Sequence, residues 1–142
     1  MDKLEIVTPT SDPIAEALDY AGLTFTLTGN ANWYSQTTTT YYGGDAAQSG
    51  LITHSQSTSM ETTISGKTSV KFYWRVSSES GYDYLRFYID GVLQTSISGS
   101  PSWAQKTYTV TTGSHVLKWT YVKDSSVSSG SDCGWVDKLE LL

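Results

Sequence analysis

Short segments in which apolar and polar residues alternate are the feature that most constrains the fold of this chain. From Thr68 to Ser77 every second residue is large and apolar. A period of two places successive side chains on opposite faces of a β-strand, so this segment is predicted to be a strand with one buried face. Tyr84–Asp90 alternates in the same way before Val92–Ile97. The Asp90-Gly91 pair between them predicts a two-residue hairpin turn, because both residues tolerate positive φ.

Further alternating segments, separated by turns rich in Gly and Ser, extend this pattern along the chain. Strands that do not alternate with long helices predict an all-β fold, an antiparallel two-sheet β-sandwich of jelly-roll type. Asp12-Pro13 is a helix-start signal and predicts one short helix near Pro13–Asp19. Between Asn30 and Gly50 we expect a long ordered loop with one or two short strands. The predicted strands are Lys3–Val7, Leu23–Thr28, Ser57–Ile64, Thr68–Ser77, Tyr84–Asp90, Val92–Ile97, Gln105–Val110, Val116–Val122 and Trp135–Leu142.

Length, charge and cysteine content narrow the class of protein. The 142 residues are enough for one module, with residues 1–22 as an N-terminal strand and short helix or turn and residues 23–142 as the sandwich body. A net charge of −5 argues against nucleic acid as a partner. No apolar run approaches the roughly 18 residues of a membrane span. The single Cys133 excludes an internal disulfide and a cysteine-based zinc cluster, and we treat it as an incidental thiol. We expect a monomer.

Three stretches taken in order resemble a known family. They are SVKFYWRVSS from Ser69, LRFYIDG from Leu85 and GWVDKLEL from Gly134, with Trp103 before the last. The region from Gly22 onward is similar to bacterial MAM-like, carbohydrate-binding-module-like jelly-roll domains of secreted multidomain proteins. The resemblance implies a non-catalytic module beside neighbouring domains that binds glycan or protein, often with structural calcium. The chain departs from animal MAM domains because it lacks their paired cysteines.

Acidic residues collect at one end of the predicted sandwich. If Thr68–Ser77 runs upward, alternating strand directions place the loops at 78–82, 99–103 and 123–134 at the upper end. Carboxylate oxygens in such loops suit calcium, although no EF-hand spacing is present, and the alternative is that they are solvated loop charges. The predicted calcium ligands are Glu79, Asp83, Asp124, Asp132 and Asp137, with Asp45 as a weaker candidate near the same end.

Asp137 lies inside the last predicted strand, on the same face as Trp135, Leu139 and Leu141. We interpret this face as core-facing. A carboxylate there must be paired, so Asp137 is predicted to be either a metal ligand or a buried acceptor for backbone N–H groups.

Aromatic side chains in loop-like sequence carry the prediction of a glycan site. Sugar rings stack their C–H faces on Trp and Tyr while polar neighbours hold the hydroxyls. The alternative is that these residues are cross-strand pairs and loop plugs. We interpret Trp74, Trp119 and Trp135 as core residues. Tyr73, Tyr84 and Tyr88, with Lys71, Arg75 and Arg86, are predicted to line the outer face of one sheet. The predicted ligand-binding residues are Trp33, Tyr34, Tyr41, Tyr42, Tyr82 and Trp103.

Catalytic signatures are missing from the sequence. It contains no Gly-X-Ser-X-Gly, His-Glu-X-X-His or P-loop pattern, and His54 lies far from His115, which is placed at the lower end. We therefore predict no enzyme activity. The predicted function is a non-catalytic, lectin-like carbohydrate-binding module of a secreted or surface bacterial protein, with calcium as a stabilising ion. The alternative is a protein-adhesion or structural spacer module with no glycan ligand.

Overall fold

Two five-stranded antiparallel sheets pack face to face in the computed structural model, which describes residues 12–142. The predicted β-sandwich is confirmed, whereas the predicted strand at Lys3–Val7 lies outside the described residues. Sheet A has the strand order β1-β4-β9-β6-β7, and sheet B has the order β2-β3-β10-β5-β8. The strands are Thr26–Gly29 (β1), Tyr34–Gln36 (β2), Ala46–Gln48 (β3), Ser57–Ile64 (β4), Ser69–Ser77 (β5), Tyr84–Ile89 (β6), Val92–Ile97 (β7), Ala104–Thr109 (β8), His115–Val122 (β9) and Cys133–Leu141 (β10).

Helix α1, Pro13–Ala17, is the predicted short helix. The Asp12 side chain accepts hydrogen bonds from the backbone N–H groups of Ile14 and Ala15, so it caps the helix start. The helix is docked at its other end, because the Leu139 N–H donates to the Leu18 carbonyl at 2.8 Å. Among the described residues no helix is long and apolar enough to cross a membrane.

The core between the sheets is aromatic at its centre. Phe72 on β5 contacts Phe87 on β6 and Trp119 on β9, with ring centroids 4.7 Å and 5.3 Å apart. Gly134 on β10 makes room for this packing, because a Cβ there would lie 2.9 Å from the Leu85 side chain. The four apolar side chains predicted to share the buried face of β5 are all fully buried: Val70, Phe72, Trp74 and Val76.

The hairpin that joins β6 to β7 has the predicted turn. Asp90 and Gly91 have φ values of 52° and 79°, the positive pair that matches the twist of the flanking strands. The outer faces are assigned differently from the prediction. Because β5 belongs to sheet B and β6 to sheet A, the predicted single outer face is wrong. Alternation tells which residues share a side of one strand, but not which sheet that strand joins. Lys71, Tyr73 and Arg75 line sheet B, whereas Tyr84, Arg86 and Tyr88 line sheet A.

A β-bulge in β10 decides where Asp137 points. Asp137 lies opposite Tyr73 and is the last regular pair before the register shifts, after which Leu141 lies opposite Val70. Lys138 inside the bulge has a φ of 48°. Because of the extra residue, the odd-numbered side chains of β10 point to one face of the sheet before the bulge and to the other face after it.

Asp137 and Trp135 therefore lie on the outer face of sheet B, while Leu139 and Leu141 face the core. The prediction that all four share a core-facing side is wrong, because it assumed uninterrupted alternation. Asp137 is nevertheless completely buried, and Trp135 is 4% exposed. Their burial comes from residues that cover the outside of the sheet.

Candidate functional site

The upper end of the sandwich contains the predicted group of acidic side chains. The loops at 78–82, 99–103 and 123–134 meet there, as the Ser78 N–H bonded to the Gly99 carbonyl and the Ser131 N–H bonded to Ser77 Oγ indicate. Three carboxylates come together at this end, each with an oxygen within 4.8 Å of the others: Glu79, Asp83 and Asp124.

A buried lysine supplies positive charge at this end. Lys123 Nζ lies 2.7 Å from both oxygens of Asp132 and 3.1 Å from Asp83 Oδ2. Burial opposes the charged form, but the hydrogen bonds to Asp132 and Asp83 outweigh it and raise the pKa of Lys123. Lys123 was not among the predicted site residues, although the alternation that buries Trp119 and Tyr121 points to it as the next buried position.

Several carboxylate oxygens at the upper end already have partners. Asp83 Oδ1 accepts the Asp124 N–H at 2.9 Å and Asp83 Oδ2 accepts Lys123, so both of its oxygens are engaged. Asp132 also accepts the Tyr121 hydroxyl at 2.7 Å. Glu79 Oε1 is buried and has no hydrogen-bond partner among the described residues. Of the residues that the structure describes, Glu79, Asp83 and Asp124 are the three carboxylates close enough together to share a cation, and Lys123 offsets part of their charge.

Asp137 is separate from the upper-end group. It lies four residues beyond Cys133, the first residue of β10, which corresponds to about 13 Å along the strand. Its Oδ2 accepts the backbone N–H groups of Tyr41 and Tyr42, both at 2.8 Å, and Oδ1 accepts the Lys138 N–H. Of the two predicted roles, the structure shows the buried acceptor for backbone N–H groups. Through these hydrogen bonds Asp137 holds the loop between β2 and β3 against sheet B.

Two further carboxylates, Asp19 and Asp45, lie near Asp137, and the sequence pattern does not predict this group. Burial and the neighbouring Asp137 and Asp45 carboxylates raise the pKa of Asp19 to about 7. The prediction that Asp45 lies near the upper end is wrong. Asp45 directly precedes β3, and β3 runs beside the middle of β10, where Ala47 pairs with Val136. Asp45 Oδ1 is buried without a partner among the described residues. The oxygens of these three carboxylates do not all lie within 4.8 Å of one another, and both oxygens of Asp137 already accept N–H groups, so the set fits a metal ion poorly.

An aromatic cluster lies on the outer face of sheet B. The Tyr41 ring stacks on Tyr73, with centroids 3.8 Å apart and an interplanar angle of 15°, and lies 5.9 Å from the Trp103 ring. Tyr41 belongs to the loop that is hydrogen-bonded to Asp137, whereas Tyr73 belongs to β5. Tyr41 is 45% exposed, so part of its ring remains open to a ligand. We call Tyr41, Tyr73 and Trp103 the aromatic cluster.

The other predicted ligand-binding residues are divided. Tyr34 and Tyr42 are exposed and belong to the same sheet or its covering loop, and Lys138 Nζ lies 4.3 Å from the Tyr42 ring. Tyr82 is exposed but sits in the upper-end loop. Trp33 is only 2% exposed, and its indole N–H donates to the Thr58 carbonyl at 3.2 Å. The prediction that Trp33 contacts a ligand is wrong, because it is a core residue.

A row of polar side chains crosses the same face next to the aromatic cluster. Tyr34, Gln48, Trp135 and Arg75 occupy neighbouring strands in register. The Trp135 indole N–H donates to Gln48 Oε1 at 2.9 Å, and the Arg75 guanidinium carbon lies 5.3 Å from the Trp135 ring. Trp135 is buried as predicted, but beneath Arg75 on the outside of sheet B. We call these four residues the polar row.

Two other titratable residues, His115 and Cys133, have environments that indicate structural roles. At the lower end, His115 Nδ1 lies 2.6 Å from Asp90 Oδ2, and Nε2 lies 2.9 Å from both the carbonyl and the hydroxyl of Thr111. The hydrogen bond to Asp90 raises the pKa of His115, so this contact ties the β6–β7 turn to β9. Burial and Asp132 raise the pKa of Cys133 to about 12, which keeps its thiol protonated and unreactive.

Solved structures share this fold. The secreted serine protease VesC from Vibrio cholerae matches with a TM-score of 0.65 at 12% identity, over 93% of this chain and 28% of the protease chain. TmCBM61, solved in complex with β-1,4-galactotriose, matches with a TM-score of 0.54 at 14% identity, over 83% of this chain and 87% of its own. The K3 cleaved adhesin domain of Lys-gingipain from Porphyromonas gingivalis W83 matches with a TM-score of 0.53 at 12% identity, over 83% and 90%.

These likenesses concern the fold, and the chain spans about 28% of the length of the protease. No protein-family model matches the chain. No curated protein matches it either. The side chains on sheet B therefore provide the evidence for its function.

Proposed function

We propose that this protein is a non-catalytic carbohydrate-binding module that holds a polysaccharide chain on the outer face of sheet B. The observation that carries the proposal is the stacking of Tyr41 on Tyr73 at 3.8 Å, with Trp103 beside them. A sugar ring presents a flat C–H face to such rings, and an exposed aromatic surface with polar groups at its border is the usual composition of a ligand site. TmCBM61, which shares the fold, was solved with a galactotriose.

The loop that presents Tyr41 is held in place before any ligand arrives. Two backbone N–H groups of this loop bond to Asp137, which is itself completely buried. Hydrogen bonds to a charged acceptor are among the stronger ones in proteins. A loop fixed in this way loses little conformational freedom on binding, which favours affinity.

Calcium remains part of the proposal, at the upper end of the sandwich. Glu79, Asp83 and Asp124 each have a carboxylate oxygen within 4.8 Å of the others, and the buried Glu79 Oε1 has no partner among the described residues. Calcium, when bound, would offset the repulsion among these carboxylates that Lys123 alone does not neutralise. It would also hold the loop at 78–82 against the end of β9.

The same proposal places the chain outside the cell, as a module beside other domains of a larger secreted or surface protein. Two observations support this context. The chain matches 28% of the secreted serine protease VesC, and its sequence resembles MAM-like modules. In this role the module would keep a neighbouring domain close to a polysaccharide and thereby raise its effective concentration there.

A glycan array, run with calcium and with excess chelator, tests the proposal. The wild-type protein is expected to retain a set of polysaccharides, and the double variant Tyr41→Ala/Trp103→Ala is expected to lose them. Tyr82→Ala, which removes an exposed tyrosine away from sheet B, is the matched control and is expected to bind normally. If the wild type binds no glycan in either condition, the protein is the spacer or protein-adhesion module that stood as the alternative.

A further inference from the structure

We infer that the polysaccharide is acidic and that the polar row binds the carboxylate of a uronic acid residue, an inference that rests on the proposed glycan function. The row lies next to the aromatic cluster, because Arg75 and Tyr73 are two residues apart on the same face of β5. Two residues of a strand span about 7 Å. A chain stacked on the aromatic cluster would therefore bring a neighbouring sugar to the polar row.

The hydrogen-bonding groups of the polar row are mostly donors. The indole N–H of Trp135 can only donate, so the oxygen of Gln48 must face it and the Gln48 NH₂ group is left to donate elsewhere. The Arg75 guanidinium also has donors alone. Sugar hydroxyls both donate and accept, whereas a carboxylate only accepts. The groups that the row can offer to a ligand are the Gln48 NH₂ group, the Arg75 guanidinium and the Tyr34 hydroxyl. All three can donate, so the row matches a carboxylate better than a neutral sugar.

Arg75 also has no carboxylate within ion-pair distance among the described residues. Lys138 lies 3.7 Å from Glu140, and Lys71 lies opposite Glu140 in the β5–β10 register. Asp137, on the neighbouring pair of the same face, is completely buried and occupied by N–H groups.

The contact with Trp135 holds the Arg75 guanidinium over the indole ring. Its carbon lies 5.3 Å from the centre of the indole ring, within the range of a cation–π contact. A guanidinium held in place binds a carboxylate through two parallel N–H···O bonds. We take the bound anion to be the carboxylate of a uronic acid, and dextran sulfate in the experiment distinguishes it from a sulfate ester.

Affinity electrophoresis of the full chain in polygalacturonate, alginate and glucuronoxylan tests the inference. Each polymer is compared with its carboxyl-reduced neutral form, and dextran sulfate is included. At least one acidic polymer is expected to bind at least about tenfold more tightly than its reduced form, and this binding is expected to weaken as the salt concentration rises.

Equal binding of both forms would overturn the inference and leave the proposed function standing. Tighter binding of dextran sulfate would overturn the choice of carboxylate. Failure of every polymer, with a blank glycan array, would overturn the proposed function as well.

Matched variants locate the site. Arg75→Gln is expected to lose the preference for the acidic form, and Arg75→Lys, which keeps the charge but not the two-pronged donor, to weaken it about tenfold. Gln48→Glu keeps an acceptor for Trp135 but replaces a donor by a negative charge, so it is expected to abolish acidic binding. Lys71→Gln removes a neighbouring charge and is expected to bind normally. Acidic binding that survives Arg75→Gln in a variant with a normal melting temperature would contradict the assignment.

Discussion

Lys123 Nζ lies 2.7 Å from both carboxylate oxygens of Asp132, and the lysine side chain is completely buried. The same ammonium bonds to Asp83, whose side chain is also completely buried. Part of the positive charge that the acidic upper end requires is therefore built into the chain. This ion pair closes the upper end of the core by joining the end of β9 to the loops before β6 and β10.

Replacing Lys123 by Met is expected to destabilise the protein by about 3–5 kcal/mol, because it leaves two buried carboxylates without a counter-charge. Urea denaturation would measure the loss of unfolding free energy. Lys118→Met is the control on the same strand. Its ammonium lies 4.8 Å from the Tyr88 ring on the outside, and its loss is expected to cost about 1 kcal/mol or less. Equal costs for the two variants would contradict a structural role for the Lys123 network.

The Asp90–His115 contact predicts a pH dependence of stability with two limits. The pKa of His115 is raised above 6.5, so its contribution is fully present below that pH and is lost as pH rises through the raised value. The pKa of Asp90 is lowered below 3.8, so its contribution is present above that pH and is lost as pH falls. Melting temperatures across pH 3–9 are expected to show the alkaline decline in the wild type and in His54→Gln, but less of it in His115→Gln. A decline that persists in His115→Gln would assign it to another group.

Calcium is expected to raise the melting temperature relative to excess chelator. An ion that binds the folded state alone stabilises it by about 2.7 kcal/mol at a hundredfold excess over its dissociation constant. Glu79→Gln at the upper end is expected to remove most of this shift, whereas Asp45→Asn, beside the loop between β2 and β3, is expected to keep it. The reverse result would move the ion to Asp45. No shift in the wild type would show that the protein binds no calcium under these conditions.

Tyr41→Ala is expected to weaken glycan binding about tenfold or more while leaving the melting temperature nearly unchanged, because the ring is 45% exposed and stacks outside the core. Isothermal titration with the best oligosaccharide from the array would measure it. Tyr82→Ala provides the reference for a tyrosine lost elsewhere. If both variants bind as the wild type does, the aromatic cluster is a packing feature of the loop.

The strands and the hairpin could be read from the sequence because their causes are local. Alternation at a period of two identifies a strand and its buried face within a few residues, as β5 shows. The Asp90-Gly91 turn follows from the φ values that its two residues tolerate. The meeting of Glu79, Asp83 and Asp124 followed from counting strand directions. These inferences need no knowledge of which strands are neighbours.

The positions of Asp137, Trp33 and Lys123 were decided by the tertiary structure. One extra residue in the β10 bulge turned Asp137 to the outer face, and no local pattern marks a bulge in advance. Trp33 lies in loop-like sequence but is covered by residues distant in the chain, and Lys123 is buried because Asp83 and Asp132 arrive from two other loops.

Turn chemistry and side-chain period are properties of neighbouring residues, so they are enough to define a sandwich of short antiparallel strands. The stacking of Tyr41 on Tyr73 and the position of Arg75 over Trp135 arise only when the whole chain has packed. Each of these pairs joins residues more than 30 positions apart. Their contact depends on the order of strands in sheet B and on a loop held by Asp137, and both are set by how the whole chain packs.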